Sequence, residues 1–87
     1  MTADQTRRRR LGIRSWRRGT REMDLILGRF WDAEGAGLDA ATLDLYEAML
    51  DENDQDLYLW VSGQAAPPLR LAPLVGRLRC ATGAKGK

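Results

Sequence analysis

The sequence predicts an all-α protein, folded as a small five-helix bundle in a single domain. The chain has 87 residues, which leaves room for only one small hydrophobic core. Its apolar side chains are mostly Leu and Ala, with few Val and Ile, and this composition favours helices over sheet. Apolar residues recur every three or four positions, and no long stretch alternates with period two. We divide the chain into a disordered N-terminus at residues 1–6, a helical domain at residues 7–80 and a flexible basic tail at residues 81–87.

The first two predicted helices meet at Gly19, because glycine takes positive φ without steric cost. The first helix runs from about Thr6, a candidate N-cap, to Arg17. Its arginine-rich first turn opposes the helix macrodipole, so we expect it to fray and the helix to be an attached arm. The second helix follows Thr20, a suitable N-cap, and Gly28 inside it indicates close approach of another helix or of a partner. Its apolar stripe is Met23, Ile26, Leu27, Phe30 and Trp31.

Cap residues and helix stops place the other three helices. Asp39 is a good N-cap for the third helix, and Asp54 for a short fourth helix that ends at Gly63. The fifth helix begins near Pro73, because proline is favoured in the first turn. The predicted core comprises Ile26, Leu27, Phe30, Leu45, Tyr46, Met49, Leu57, Trp60 and Val61.

The net charge of +2 conceals a segregation of charge along the chain. Residues 1–21 carry +7, residues 22–62 carry −10 and residues 63–87 carry +5. A surface of this kind orients a protein partner but repels polyanions over much of its area. We therefore expect a protein partner and no nucleic acid. The run Arg7–Arg10 leaves phosphate binding open as an alternative to a solvated helix end.

The side chains that carry most catalysis and metal binding are absent or isolated. There is no histidine, and the single Cys80 excludes an internal disulfide and is expected to be a bystander thiol. The central carboxylates lack the spacing of a calcium loop. We predict no catalytic residue, no metal site and no stably bound cofactor. No apolar run approaches the ~20 residues of a membrane span, so we expect a protein that is not membrane-inserted, most simply in a bacterial cytoplasm.

The strongest functional candidate is the corner between the first two helices. Arg18 and Glu22 flank Gly19 at short spacing, so a sharp turn would present both charges beside exposed backbone. This arrangement favours a docking surface over a catalytic pocket; the alternative is a turn glycine with two solvated charges. Trp31, at the end of its apolar stripe, is either a packing residue or a partner-facing anchor.

Two short motifs carry a resemblance to a known family. Arg18-Gly19-Thr20-Arg21-Glu22 resembles the RGxxE signature of the small flavinylation factors of succinate dehydrogenase, and the similarity extends through Phe30. The segment Asp54–Trp60 resembles the D-x-D-L-x-x-W element of the same family. The resemblance covers roughly residues 7–63, and the five-helix fold of the family agrees with the fold that periodicity predicts.

The resemblance implies an assembly factor, not an enzyme. It implies binding to the flavoprotein subunit of succinate dehydrogenase, or of fumarate reductase in some bacteria, and promotion of covalent FAD attachment to a histidine of that subunit. The compartment would be the mitochondrial matrix in a eukaryote, and we expect a monomer when free. Central interface residues carried over from the family are Arg18, Gly19 and Glu22, with weaker contributions from Arg17, Arg21 and Asp24.

Two other classes of protein remain as alternatives. The arginine run Arg7–Arg10 and the basic tail would suit a small basic regulator, either antitoxin-like or nucleic-acid-binding. A stand-alone enzyme or flavoprotein is disfavoured, because the chain has no histidine and no phosphate-cradling glycine loop after a strand.

Overall fold

The computed structural model describes residues 2–82, and within that range it contains five α-helices and no strand. The helices are α1 (Ala3–Trp16), α2 (Arg21–Glu34), α3 (Ala40–Leu50), α4 (Asp54–Val61) and α5 (Ala72–Thr82). A 3₁₀ turn precedes α3 (Gly35–Gly37) and another precedes α5 (Leu69–Leu71). The predicted all-α class with five helices is therefore confirmed. Residues 83–87 of the predicted basic tail lie outside the described residues.

The first helix begins earlier than predicted. Thr2, not Thr6, is its N-cap: the Thr2 hydroxyl accepts the backbone N–H of Gln5 at 3.1 Å. The Gln5 side-chain oxygen in turn accepts the backbone N–H of Thr2 at 2.9 Å, which completes a capping box. The structure thus places Ala3–Thr6 in α1 rather than in the disordered segment predicted for residues 1–6.

The prediction that α1 is a frayed, attached arm is wrong, because arginines of its first turns bind elsewhere in the fold. Arg7 donates to Asp44 and to Glu47 of α3, each at 2.7 Å. The hydrogen bonds that Arg7 donates to these two carboxylates raise the pKa of its guanidinium. Arg8 donates to backbone carbonyl groups in the loop after α2. On its inner side α1 buries Leu11, which is 1% exposed, so this helix is part of the core.

Of the four predicted N-caps, Thr20 and Asp39 are confirmed, whereas Thr6 and Asp54 are wrong. Thr20 caps α2, and Asp39 caps α3, in each case through a side-chain oxygen that accepts a backbone N–H of the first turn. For α4 the cap is Asn53, whose backbone is extended, whereas Asp54 is already the first helical residue. Gly63 follows α4 with φ of +84°, as expected of a glycine that stops a helix.

The core includes seven of the nine predicted residues. Ile26 and Leu45 are only partly buried and pack against the edge of the core. The prediction missed the contribution of α5, which packs on α2 and α4. Buried hydrophobic residues outside the predicted set are Leu11, Met23, Leu38, Leu43, Leu50, Leu71, Leu74, Val75 and Leu78.

Trp31 packs within the fold and does not project towards a partner. Its ring centroid lies 5.3 Å from that of Tyr46. Its indole nitrogen lies 2.7 Å from where a Cβ would stand on Gly12 of α1. Of the two interpretations of Trp31, the structure therefore supports packing between α1 and α2.

Gly28 lets α1 approach α2 closely, as the sequence predicted. A Cβ at this position would overlap the indole ring of Trp16, which lies directly against the α2 backbone. The Trp16 ring nitrogen also donates to the Asp32 carboxylate at 3.2 Å. The absence of a side chain at Gly28 therefore sets the distance between the two helices.

We expect Gly28→Ala to lower the free energy of unfolding by about 1–2 kcal/mol, because overpacking against Trp16 outweighs the gain of ~1 kcal/mol in helix propensity. Urea unfolding followed by circular dichroism measures this. The matched control is the pair Trp16→Ala and Trp16→Ala/Gly28→Ala, in which the overlap is gone and alanine should stabilise. A Gly28→Ala protein more stable than wild type would contradict the close-contact explanation.

Candidate functional site

The corner between α1 and α2 depends on the backbone of Gly19. Its φ is +110°, a conformation that residues with a Cβ rarely adopt. Apart from the two chain neighbours of Gly19, no described residue has an atom within 4 Å of a Cβ built there, so the constraint comes from the backbone conformation rather than from packing. The predicted positive φ is confirmed, and the corner leaves a stretch of exposed backbone without side-chain cover.

Arg18 points into the molecule, with 11% of its side chain exposed. Its Nε donates to Asp54 at 2.9 Å, at the start of α4. Its two terminal nitrogens donate to backbone carbonyl oxygens, to Leu50 at 2.6 Å and to Glu52 at 2.8 Å. One guanidinium therefore satisfies carbonyl groups left free where α3 ends, and it ties the α1–α2 corner to the α3–α4 corner.

Asp24, in the first turn of α2, stabilises the backbone of the same corner. Its carboxylate accepts the backbone N–H of Arg18 at 2.5 Å, so the chain is fixed immediately before Gly19. Both residues were predicted from sequence to face a partner. The structure shows that Arg18 and Asp24 bind within the fold, where they shape the corner from within; their contact with a partner stays a prediction.

The other predicted site residues are exposed. Arg17, Arg21 and Glu22 lie at the surface, and their side chains make no hydrogen bond or ion pair with any residue from 2 to 82. Glu22 stands in the first turn of α2, where a carboxylate is favoured by the helix dipole. The structure thus separates an internal pair from an exposed set that is available for contact.

Beside Glu22 lies an open groove of about 530 Å³ between the start of α2 and helix α4. Its apolar lining comes from Met23, Tyr58 and Leu59. The sequence analysis did not identify these three residues as part of a functional site, although Tyr58 and Leu59 fall within the segment that resembles D-x-D-L-x-x-W. The full lining is Thr20, Glu22, Met23, Asp54, Gln55, Asp56, Tyr58 and Leu59.

The groove is acidic. It contains the carboxylates of Glu22, Asp54 and Asp56, and none of the described lining residues is a lysine or an arginine. Asp54 is paired with Arg18, which leaves Glu22 and Asp56 to set the charge that a ligand meets. A cationic or hydrogen-bond-donating segment with an apolar side chain fits this lining, whereas a diphosphate would be repelled.

The other functional features considered from the sequence do not form a second site within residues 2–82. Within residues 2–82 no group of three or more Cys, Asp or Glu side chains is arranged to hold a metal ion. Cys80 is exposed and free. None of the helices in the described part of the chain is long and apolar enough to cross a membrane. The run Arg7–Arg10 is divided, because Arg7 and Arg8 bind inward while Arg9 and Arg10 face solvent.

The fold and the groove define a small all-α protein whose two sequence motifs meet at one surface. The sequence profile of the family described as flavinator of succinate dehydrogenase matches residues 9–82. The chain therefore belongs to this family, and the resemblance inferred from the two motifs is confirmed. No solved structure matches the chain.

Three curated relatives are each named "Succinate dehydrogenase assembly factor 2, mitochondrial". The protein of Meyerozyma guilliermondii is 40% identical over 58 residues, which cover 67% of this chain and 43% of the relative. The protein of Cryptococcus neoformans var. neoformans serotype D is 35% identical over 78 residues, which cover 87% of this chain and 45% of the relative. The protein of Aspergillus terreus is 42% identical over 60 residues, which cover 69% of this chain and 20% of the relative. The matches thus span less than half the length of each of these relatives.

Proposed function

We propose that this protein is an assembly factor that binds the flavoprotein subunit of succinate dehydrogenase, or of fumarate reductase, and promotes covalent attachment of FAD to that subunit. One observation carries the proposal: the RGxxE corner and the segment Asp54–Trp60 together line a single acidic groove. Membership of the flavinator family and the names of the relatives support the same function.

The protein acts by positioning rather than by chemistry of its own. The groove residues include no histidine, cysteine or lysine that could attack the flavin or move its protons. A histidine of the partner supplies the nucleophile, and FAD is held by the partner. Binding energy from the groove raises the population of the partner conformation in which flavin and histidine are aligned.

Glu22 and Gly19 of the corner contribute to partner binding in different ways. The Glu22 carboxylate accepts hydrogen bonds from cationic or amide groups of the partner. Gly19 allows partner atoms to approach the backbone of the corner, because it carries no side chain. The factor works as a monomer in the compartment where the flavoprotein matures, which is a bacterial cytoplasm or a mitochondrial matrix; the relatives are named as mitochondrial proteins, which supports the second.

We expect Glu22→Lys to reduce covalent FAD on the partner to the level of cells that lack this protein, because the substitution reverses the charge at the groove and repels a cationic segment. Flavin fluorescence of the flavoprotein subunit in a denaturing gel measures covalent FAD directly. Glu22→Ala removes the acceptor without repulsion and should weaken partner binding by roughly tenfold.

The matched control is Ala33→Lys, which adds a lysine at an exposed position of α2 about three turns from Glu22. It should leave covalent FAD unchanged. Two results would contradict the proposal: normal covalent FAD in cells that lack the protein, or equal losses for Glu22→Lys and Ala33→Lys.

A further inference from the structure

The arginines of α1, together with its C-cap residue Arg17, fall into a set that is bound within the fold and a set that is exposed. Arg7 and Arg8 bind inward, and Arg14 pairs with Asp51 at 2.8 Å. A second set, Arg9, Arg10 and Arg17, is exposed, and these side chains make no hydrogen bond or ion pair with any residue from 2 to 82. Three positive charges therefore remain uncompensated on one side of α1.

Apolar side chains stand among these exposed arginines. Ile13 is 52% exposed and Trp16 is 38% exposed, although most large apolar residues of the protein are buried. With 100° of rotation per residue, the exposed arginines and these two residues share an arc of about 120°, and Ile13 lies near its centre. We call this set the α1 outer face: Arg9, Arg10, Ile13, Trp16 and Arg17.

No carboxylate of α1 lies on the α1 outer face. The helix has one acidic residue, Asp4, which falls on the opposite side and pairs with Arg8 at 2.8 Å. The polar edge of the Trp16 ring is already bound to Asp32, so the apolar part of the ring is what remains for contact. Arginines thus flank the apolar Ile13 on this helix surface, and the Asp32 carboxylate of α2 lies at the Trp16 edge of the face.

We propose that the α1 outer face binds the surface of an anionic lipid bilayer, with α1 lying parallel to it. The arginines pair with lipid phosphates while Ile13 and the Trp16 ring enter the boundary between headgroups and acyl chains. The exposed part of the Trp16 ring adds apolar surface at this boundary, while the rest of the ring packs on Gly28 of α2. The α1 outer face shares no residue with the acidic groove, so lipid binding is independent of the groove's function.

A lipid surface fits the dimensions of this face better than a macromolecular partner does. The five side chains occupy about 12 Å of helix, a stretch too short to bury by itself the ~800 Å² per partner of a stable protein interface. Binding to an anionic bilayer does not require a minimum contact area of this kind, because each basic residue near the surface raises the affinity independently by roughly fivefold. A nucleic acid would gain from the arginines but nothing from the central Ile13.

Flotation of the full-length protein with vesicles tests the proposal. At low salt the protein should float with vesicles of phosphatidylcholine and phosphatidylglycerol and not with phosphatidylcholine alone. Arg9→Gln/Arg10→Gln should lower the partition coefficient by roughly 25-fold. Ile13→Asp should lower it further, since it places a carboxylate at the centre of the face. Circular dichroism verifies that each variant stays folded.

The matched control is Leu69→Asp/Arg70→Gln, which makes the same kinds of change at an exposed pair in the 3₁₀ turn before α5. This variant should float like wild type. Absence of flotation with anionic vesicles, or equal loss in the control, would overturn the proposal. It would also be overturned if the α1 variants lost binding to an RNA duplex, or to purified flavoprotein subunit, while their flotation stayed unchanged.

Discussion

Arg18→Ala is expected to lower the free energy of unfolding by about 3–5 kcal/mol, the usual range for breaking a largely buried ion pair from one side. The substitution leaves Asp54 without its cation and the carbonyl groups of Leu50 and Glu52 without their donors. A domain of this size is stable by about 5–15 kcal/mol, so the loss is a large part of the total. Urea unfolding followed by circular dichroism measures it.

Two controls separate this effect from a general loss of charge. Arg17→Ala removes the neighbouring arginine, which is exposed and unpaired within residues 2–82, and should change stability by less than about 0.5 kcal/mol. A double-mutant cycle of Arg18→Ala with Asp54→Asn should show coupling of about 1–3 kcal/mol. If Arg18→Ala were no more destabilising than Arg17→Ala, the internal role of Arg18 would be refuted.

Loss of function in Arg18 variants then has a different origin from loss of function in Glu22 variants. Arg18 connects the α1–α2 corner to the α3–α4 corner, and the groove lies between α2 and α4. We therefore expect Arg18→Ala to lose both stability and partner flavinylation. Glu22→Ala should lose flavinylation alone, because the Glu22 side chain has no partner within residues 2–82.

Alkaline unfolding should depend on Tyr46. This side chain is fully buried, and burial raises its pKa from 10.0 to about 12, an effect that its hydrogen bond to Ser15 partly offsets. The unfolded chain releases the phenolic proton near pH 10, whereas the folded chain keeps it to about pH 12. Between these values the folded state binds more protons, so stability is full below pH 10 and falls as pH rises. The difference of about two units between the pKa of Tyr46 in the folded and in the unfolded chain corresponds to about 3 kcal/mol of free energy of unfolding, which is lost as the pH rises through this range.

Tyr46→Phe isolates this contribution. At neutral pH it should cost about 1 kcal/mol, because the 2.6 Å hydrogen bond between the tyrosine and Ser15 hydroxyls is lost. Above about pH 10 its free energy of unfolding should fall less steeply than that of wild type. The control is Tyr58→Phe at the exposed tyrosine, which should follow wild type. An equally steep alkaline fall in Tyr46→Phe would show that burial of Tyr46 is not the cause.

Local patterns predicted much of this fold. The apolar stripe of α2, the caps Thr20 and Asp39 and the stop at Gly63 were all correct. Each depends on interactions within a turn or two of helix, which a short window of sequence contains. The role of α1 was misjudged because Arg7 binds carboxylates 37 and 40 residues further along the chain. No local pattern reports such a contact.

The sequence was enough to identify the family and to predict the five helices and a glycine corner with a positive φ. It also supplied the residues of both motifs, since these are matters of residue identity and short-range spacing. Local patterns do not reveal the direction of Arg18, whose acceptors lie 32 to 36 residues away, or the joining of the two motifs in one groove. Long-range packing set these features, because a guanidinium at a corner turns to whichever unsatisfied carbonyl and carboxylate groups the fold brings within reach.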